Sequence, residues 1–255
     1  MTNKTSIEWT DRTWNPVTGC WGPDGTRDKP NWCEYCYAIN RTALRTERFR
    51  DKALKEGRAQ VLHHSDRCRY FAPTFYPYRL EQPLKIKKPQ KIFVVSMGDL
   101  FGDWVPKKWI YSVIEIAEKC PQHIFQFLTK NPKRYLEFNY PKNCWLGATA
   151  TNLVEWKIAV KVFWDLGLRK AENRRLHFIS CEPLLGKILE LGYPTRYEAI
   201  DWLIIGGLSG SEKKREAVRK DEAEVLIKWA QNLEIPVFVK DNLFYPLRIQ
   251  QFPQG

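Results

Sequence analysis

At 255 residues, with 44% hydrophobic and 27% charged, the chain has the composition of a globular protein able to bury a large core, which excludes a disordered or fibrous chain. Its 41 Lys and Arg against 29 Asp and Glu leave a formal charge of +12, a field that draws nucleic acid, phosphate esters or anionic cofactors and equally suits a basic soluble surface. The opening MTNKTSIEWTDRTW has no apolar signal core, no apolar run approaches the roughly 20 residues that span a bilayer, and seven cysteines, an odd number, do not resemble a secreted disulfide framework. The expectation is a cytoplasmic protein with no membrane partner, folded as a single domain over 1–255.

Taken in order, Thr13 to Val17 reads as a first strand feeding Gly19-Cys20, although Pro16 is unusual in a central strand. Cys20 to Tyr37, CWGPDGTRDKPNWCEYCY, holds three cysteines as C-x12-C-x2-C. Gly22, Pro23, Asp24, Gly25 and Pro30 make the first interval rich in turns, which lets its ends return close together. Tyr37 to Lys55 reads as a helix ending at Gly57. Residues 58–90 form an irregular insertion or lid. Its basic residues are interleaved with Tyr70, Phe71, Phe75, Tyr76 and Tyr78, either as a platform for single-stranded nucleic acid or as rings packed onto the core.

Beyond residue 90 the pattern repeats. Apolar strands over 91–96, 123–128, 144–148, 176–180, 202–206 and 236–240 end in polar tips, and helices fall over 106–119, 153–166 and 221–233, with Asp221 as the expected cap of the last. Nearly continuous apolar strands alternating with helices indicate a parallel sheet covered on both faces. The fold class expected is α/β, a partial (β/α)6-type TIM barrel with an irregular insertion and a C-terminal tail; an open doubly wound sheet is the alternative. Either architecture gathers chemistry at the carboxyl ends of strands. Those ends carry Cys20, Ser96 to Asp99, Thr129-Lys130, Thr149, Ser180 to Glu182, Gly206-Gly207 and Lys240. Cys181 alternates with Ser180 and Glu182, so it faces the helices if they face the interior. Asp99 could instead cap a helix, and Lys240-Asp241 could bind phosphate or form a structural ion pair.

Three grouped thiols in a reducing compartment suit zinc, with His63, His64 or Cys68 as fourth ligand, or an iron–sulfur cluster with one iron left open. Zinc would make the chain a nucleic-acid-binding protein without catalysis. The pattern Cys33-Glu34-Tyr35-Cys36, with an aromatic before the last cysteine, resembles the end of the cluster loop of radical S-adenosylmethionine enzymes, although the first interval is longer than their usual one. The stretches TWNPVTGC, CEYCYA, FVVSMGDLF, FLTKNP, LGATATN, ISCEPLLG, IIGGLSG and VFVKDN are together similar to the three-Cys-motif (phage Gp37/Gp68) family. This resemblance implies a [4Fe-4S] cluster on Cys20, Cys33 and Cys36, and an S-adenosylmethionine site. It implies that Tyr35 is among the cofactor-binding residues, with Ser96, Gly98 and Asp99 around the cofactor's methionine ammonium, Thr129 and Lys130 at its carboxylate, Thr149, Ser180 and Glu182 at the ribose, and Gly206 against adenine. A 5′-deoxyadenosyl radical, an electron donor protein and a nucleic acid or nucleotide substrate follow from the same resemblance and the basic charge.

Overall fold

The computed structural model describes residues 3–62, 71–169, 175–189, 197–208 and 220–254. The chain forms two compact units, Met1–Cys144 and Trp145–Gly255. Both are α/β units built on parallel strands.

The first unit contains β1 (Asn3–Lys4), β2 (Arg12–Trp14), β3 (Val17–Thr18), helix α1 (Tyr37–Lys55), β4 (Gln60–Val61), β5 (Thr74–Phe75), β6 (Lys91–Val94), α2 (Lys107–Glu118) and β7 (Ile124–Thr129). β6 lies parallel between β2 and β7, and β1 is antiparallel to β2. The strand expected over 13–17 is two strands in different sheets. Pro16 has no N–H for a ladder, and the chain leaves the parallel sheet after Trp14; β3 then joins β5 and β4 in a small antiparallel sheet.

This small sheet occupies part of the stretch expected to be irregular. It is rooted in the core, because Phe71, Phe75 and Tyr76 are buried and Phe75 stacks on Trp109 of α2. Among the rings considered for a surface platform, these three are therefore core side chains, and Tyr78 is exposed. Tyr70, with His63, His64 and Cys68, lies outside the described residues. α2 buries Trp109, Val113, Ile116 and Ala117, the face its spacing predicts. Its end is tied down by Asn143, whose Nδ2 is 2.9–3.0 Å from the carbonyls of Ala117, Cys120 and His123.

The second unit contains β8 (Cys144–Thr149, starting on the boundary residue), α3 (Leu153–Arg169), β9 (His177–Cys181), β10 (Trp202–Ile205), α4 (Lys220–Asn232) and β11 (Val237–Val239). The order β8-β9-β10-β11 is parallel throughout. Every residue of β9, β10 and β11 is buried, the consequence of a sheet covered on both faces. Asn152 Oδ1 accepts from the Glu155 N–H at the start of α3, while Glu155 accepts from the Thr151 N–H and hydroxyl, a reciprocal cap. Asp221 lies in the first turn of α4 and not at its cap, since the helix includes Lys220. The C-terminal tail is more ordered than its composition suggests. It runs antiparallel to β11 through Val239 N–H to Ile249 O and Gln251 N–H to Val237 O, and so covers an edge that would otherwise expose unpaired backbone groups.

Candidate functional site

The cysteine loop begins where the two sheets of the first unit meet. The Gly19 N–H donates to Met97 O at 2.8 Å, and Gly19 and Gly98 form a parallel bridge. The Cys20 N–H donates to Phe71 O at 3.0 Å. Gly19 has φ +88, and a Cβ there would lie 2.3 Å from Ala72 O; at Gly98 it would lie 2.5 Å from Gly19 O. Two glycines are required because two backbones touch. Gly98 thus opens the strand tip to the cysteine loop itself.

The long first interval closes on itself. The Asn31 N–H donates to Trp21 O at 2.7 Å, and the Trp32 indole N–H donates to Cys20 O at 2.6 Å. Gly22, at φ +90, makes the turn that allows this, since a Cβ would sit 1.7 Å from Asn31 O. The twelve residues form a closed excursion whose ends return together. Cys20 and Cys36 consequently pack in one apolar group with Ala38, Ile39, Phe71 and Met97. Cys20, Cys33 and Cys36 are each half-buried, and no disulfide joins them to one another. The Cys20 thiol is pushed up, chiefly by burial and next by the charge of Asp99, with the neighbouring Cys36 and Cys33 adding to it; the Gly22 N–H donated to its Sγ works the other way.

Asp99 joins the tips of β6 and β7. Its carboxylate accepts from Thr129 Oγ1 at 2.7 and 2.9 Å, from the Phe101 N–H at 2.9 Å and from the Lys130 N–H at 3.0 Å. Burial raises the Asp99 carboxyl above the ordinary aspartate range, and these donors oppose the rise. The residue does not cap α2, which starts after Pro106. Lys130 then reaches across 95 positions of sequence, its Nζ donating to the Tyr35 hydroxyl at 2.7 Å. Tyr37 donates to Ser96 O, and Asn15 Oδ1 accepts from the Met97 N–H at 3.0 Å. Ser96, Gly98, Asp99, Thr129, Lys130 and Tyr35 are therefore brought together around the cysteine loop. Asn15, Trp32 and Tyr37, which sequence reasoning did not single out, complete the arrangement; the aromatic residues flanking Cys33 and Cys36 were the available signal.

In the second unit, Glu182 is paired with Lys240 across the ends of β9 and β11. Gly206 sits beneath the pair, where a Cβ would lie 3.0 Å from Lys240 Cδ and 3.1 Å from Glu182 Cδ. Lys240-Asp241 thus supplies one half of an ion pair. The Ser180 hydroxyl is buried with no hydrogen-bond partner among the described residues, and Thr149 is half-buried at the end of β8. Gly207 is clamped by Asn242, which accepts from its N–H and donates to its carbonyl. Cys181 is fully buried, its thiol pushed up chiefly by burial and further by the charges of Glu222 on α4 and Glu155 on α3. It faces the helices, as its alternation with Ser180 predicts.

Among the described residues, no group of three or more His, Cys, Asp or Glu side chains is arranged to hold a single metal ion, and no helix is long and apolar enough to cross a membrane. Cluster-ligating thiolates bind different irons, so they are held apart from one another and need not converge on one point. Cys20 and Cys36, packed together at the strand tip, and Cys33, whose carbonyl accepts from the Cys36 N–H, are a chemically suitable donor set for such a group.

These features define an α/β protein with parallel strands and a three-thiol loop locked to the strand ends of its first unit. It belongs to the family described as Protein of unknown function (DUF5131), which matches residues 4–245. No curated protein and no solved structure matches the chain.

Proposed function

We propose that the protein is a radical S-adenosylmethionine enzyme of the cytoplasm, acting on a nucleic acid or nucleotide, and that its parallel strands belong to a partial (β/α)6 barrel. The observation that carries this reading is the closed excursion between Cys20 and Cys33, which returns Cys20 to the packed group containing Cys36 despite the long interval. On this reading Cys20, Cys33 and Cys36 hold a [4Fe-4S] cluster. Held by these thiolates together with S-adenosylmethionine, such a cluster would supply one-electron reductive chemistry at the sulfonium, with a donor protein as the source of the electron.

The protein's own residues orient and enclose. Asp99, already accepting from Thr129 and two backbone N–H groups, fixes the tips of β6 and β7 at a set spacing. Lys130 holds Tyr35, between the second and third cysteines, and supplies positive charge suited to a carboxylate. Ser96 and Gly98 offer backbone groups at the same tip. In the second unit the buried Ser180 hydroxyl and the half-buried Thr149 are groups of the kind that engage sugar hydroxyls, whereas Glu182 is already paired with Lys240 and both side chains lie against Gly206.

Anaerobic purification is expected to give a brown protein with about four irons per chain, and dithionite with S-adenosylmethionine to release 5′-deoxyadenosine. A colourless protein that retains one zinc overturns the proposal.

A further inference from the structure

The positive charge is unevenly distributed. Residues 47–62 and 71–91 carry ten Lys and Arg against four Asp and Glu. Arg48, Lys52 and Lys55 are exposed on α1 at i, i+4 and i+7, a single stripe running toward Arg58. Lys85, Lys87 and Lys88, also exposed, follow the short turns that begin at Pro77.

Between these two basic stretches stands Tyr78, 44% exposed. The Arg58 guanidinium, itself paired with Glu56, lies over its ring at 4.8 Å, and Arg79, 5.5 Å from the ring centroid, donates from Nε to its hydroxyl at 3.2 Å. Its ring also meets the buried Tyr76 edge-on at 6.0 Å. Arg79 is itself immobilised, stacked on Tyr76 at 3.8 Å and donating to Asn15 O at 3.0 Å. An aromatic ring is thus held in one orientation at the surface, and a partner that stacks on it does not have to order it first. Lys85 ends the second of two short turns, Pro77–Arg79 and Pro83–Lys85, the first of which holds Tyr78.

We propose that this face binds single-stranded nucleic acid, with an unpaired base stacked on Tyr78 and the phosphates followed by Arg58, the α1 stripe and Lys85 to Lys88. A rigid exposed ring set among cations selects an unpaired strand, because a paired base keeps its faces inside the duplex, while phosphate attraction alone does not discriminate. As a substrate-holding surface it rests on the nucleic-acid reading above. As a binding surface it is independent of the cysteines.

The test is fluorescence anisotropy with a labelled homopyrimidine strand of about 20 nucleotides, its duplex, and phosphatidylserine vesicles, at about 50 and 200 mM salt. The single strand is expected to bind more tightly than the duplex. Tyr78→Ala is expected to weaken it about five- to 150-fold and Tyr78→Phe to stay within about twofold. Lys85→Gln, Lys87→Gln and Lys88→Gln together should lower the salt slope by about 2. If circular dichroism shows Tyr78→Ala misfolded, Arg58→Gln serves instead, with a slope lower by about 0.7. The Cys20→Ala, Cys33→Ala, Cys36→Ala variant should bind the strand unchanged, whether or not the wild-type protein carries iron. Equal affinity for duplex and single strand, indifference to Tyr78→Ala, binding of vesicles without the oligonucleotide, or loss of strand binding in a folded triple-cysteine variant would each overturn the proposal.

Discussion

Gly98→Ala is the most direct test of how the cysteine loop is held. The added methyl would lie 2.5 Å from Gly19 O and 3.0 Å from Gly19 N, backbone atoms that cannot rotate away as a side chain can. The strand tip or the loop must therefore shift, at the about 1–3 kcal/mol typical of overpacking. The shift lengthens the bond from the Gly19 N–H to Met97 O, worth about 1 kcal/mol. A total of about 2–4 kcal/mol is expected from urea unfolding with an unchanged m-value. Gly57→Ala is the control. Gly57 has φ +64 but nothing within 4 Å of a new Cβ, so only the left-handed backbone penalty of about 1–2 kcal/mol applies. Iron retention should fall in Gly98→Ala and hold in Gly57→Ala. If Gly98→Ala costs no more than Gly57→Ala, the bridge between loop and strand tip is not what holds Cys20 in place.

Three further outcomes are expected. Tyr35→Phe removes the acceptor for Lys130 at a partly exposed position, so unfolding should change by under about 1 kcal/mol while iron loading and 5′-deoxyadenosine release fall. Glu182→Gln leaves the Lys240 ammonium, 12% exposed, without its carboxylate and should cost about 1–3 kcal/mol by chemical unfolding; combining it with Lys240→Met should recover most of that loss, as a coupled pair requires. Asn143→Ala withdraws the amide that serves three carbonyls at the end of α2 and should lower stability by about 2–3 kcal/mol, read as a drop in the denaturation midpoint.

Strand positions were legible in the sequence because both faces of the parallel strands are covered: His177–Cys181 and Trp202–Ile205 are apolar or buried at every position, and a run of that kind needs no knowledge of its neighbours. The three cysteines, the polar strand tips and the outward turn of Cys181 were equally local in origin, fixed by residue type and by the alternation of a strand.

Tertiary structure decided the rest, since it depends on what distant residues meet. That Pro16 divides one apparent strand between two sheets depends on β5 being there to receive Val17 and Thr18. Which aromatics of residues 71–78 are core and which is surface depends on Trp109 and Tyr76 as packing partners, and composition treats them alike. Above all, spacing marked the interval from Cys20 to Cys33 as anomalous. Its closure comes from Trp21 meeting Asn31 and Trp32 meeting Cys20, and its anchorage from two glycine backbones in contact and a lysine bonded to a tyrosine far along the chain. Hydrogen bonds of that range leave no periodic trace in a sequence, because their geometry exists only once the sheets have formed.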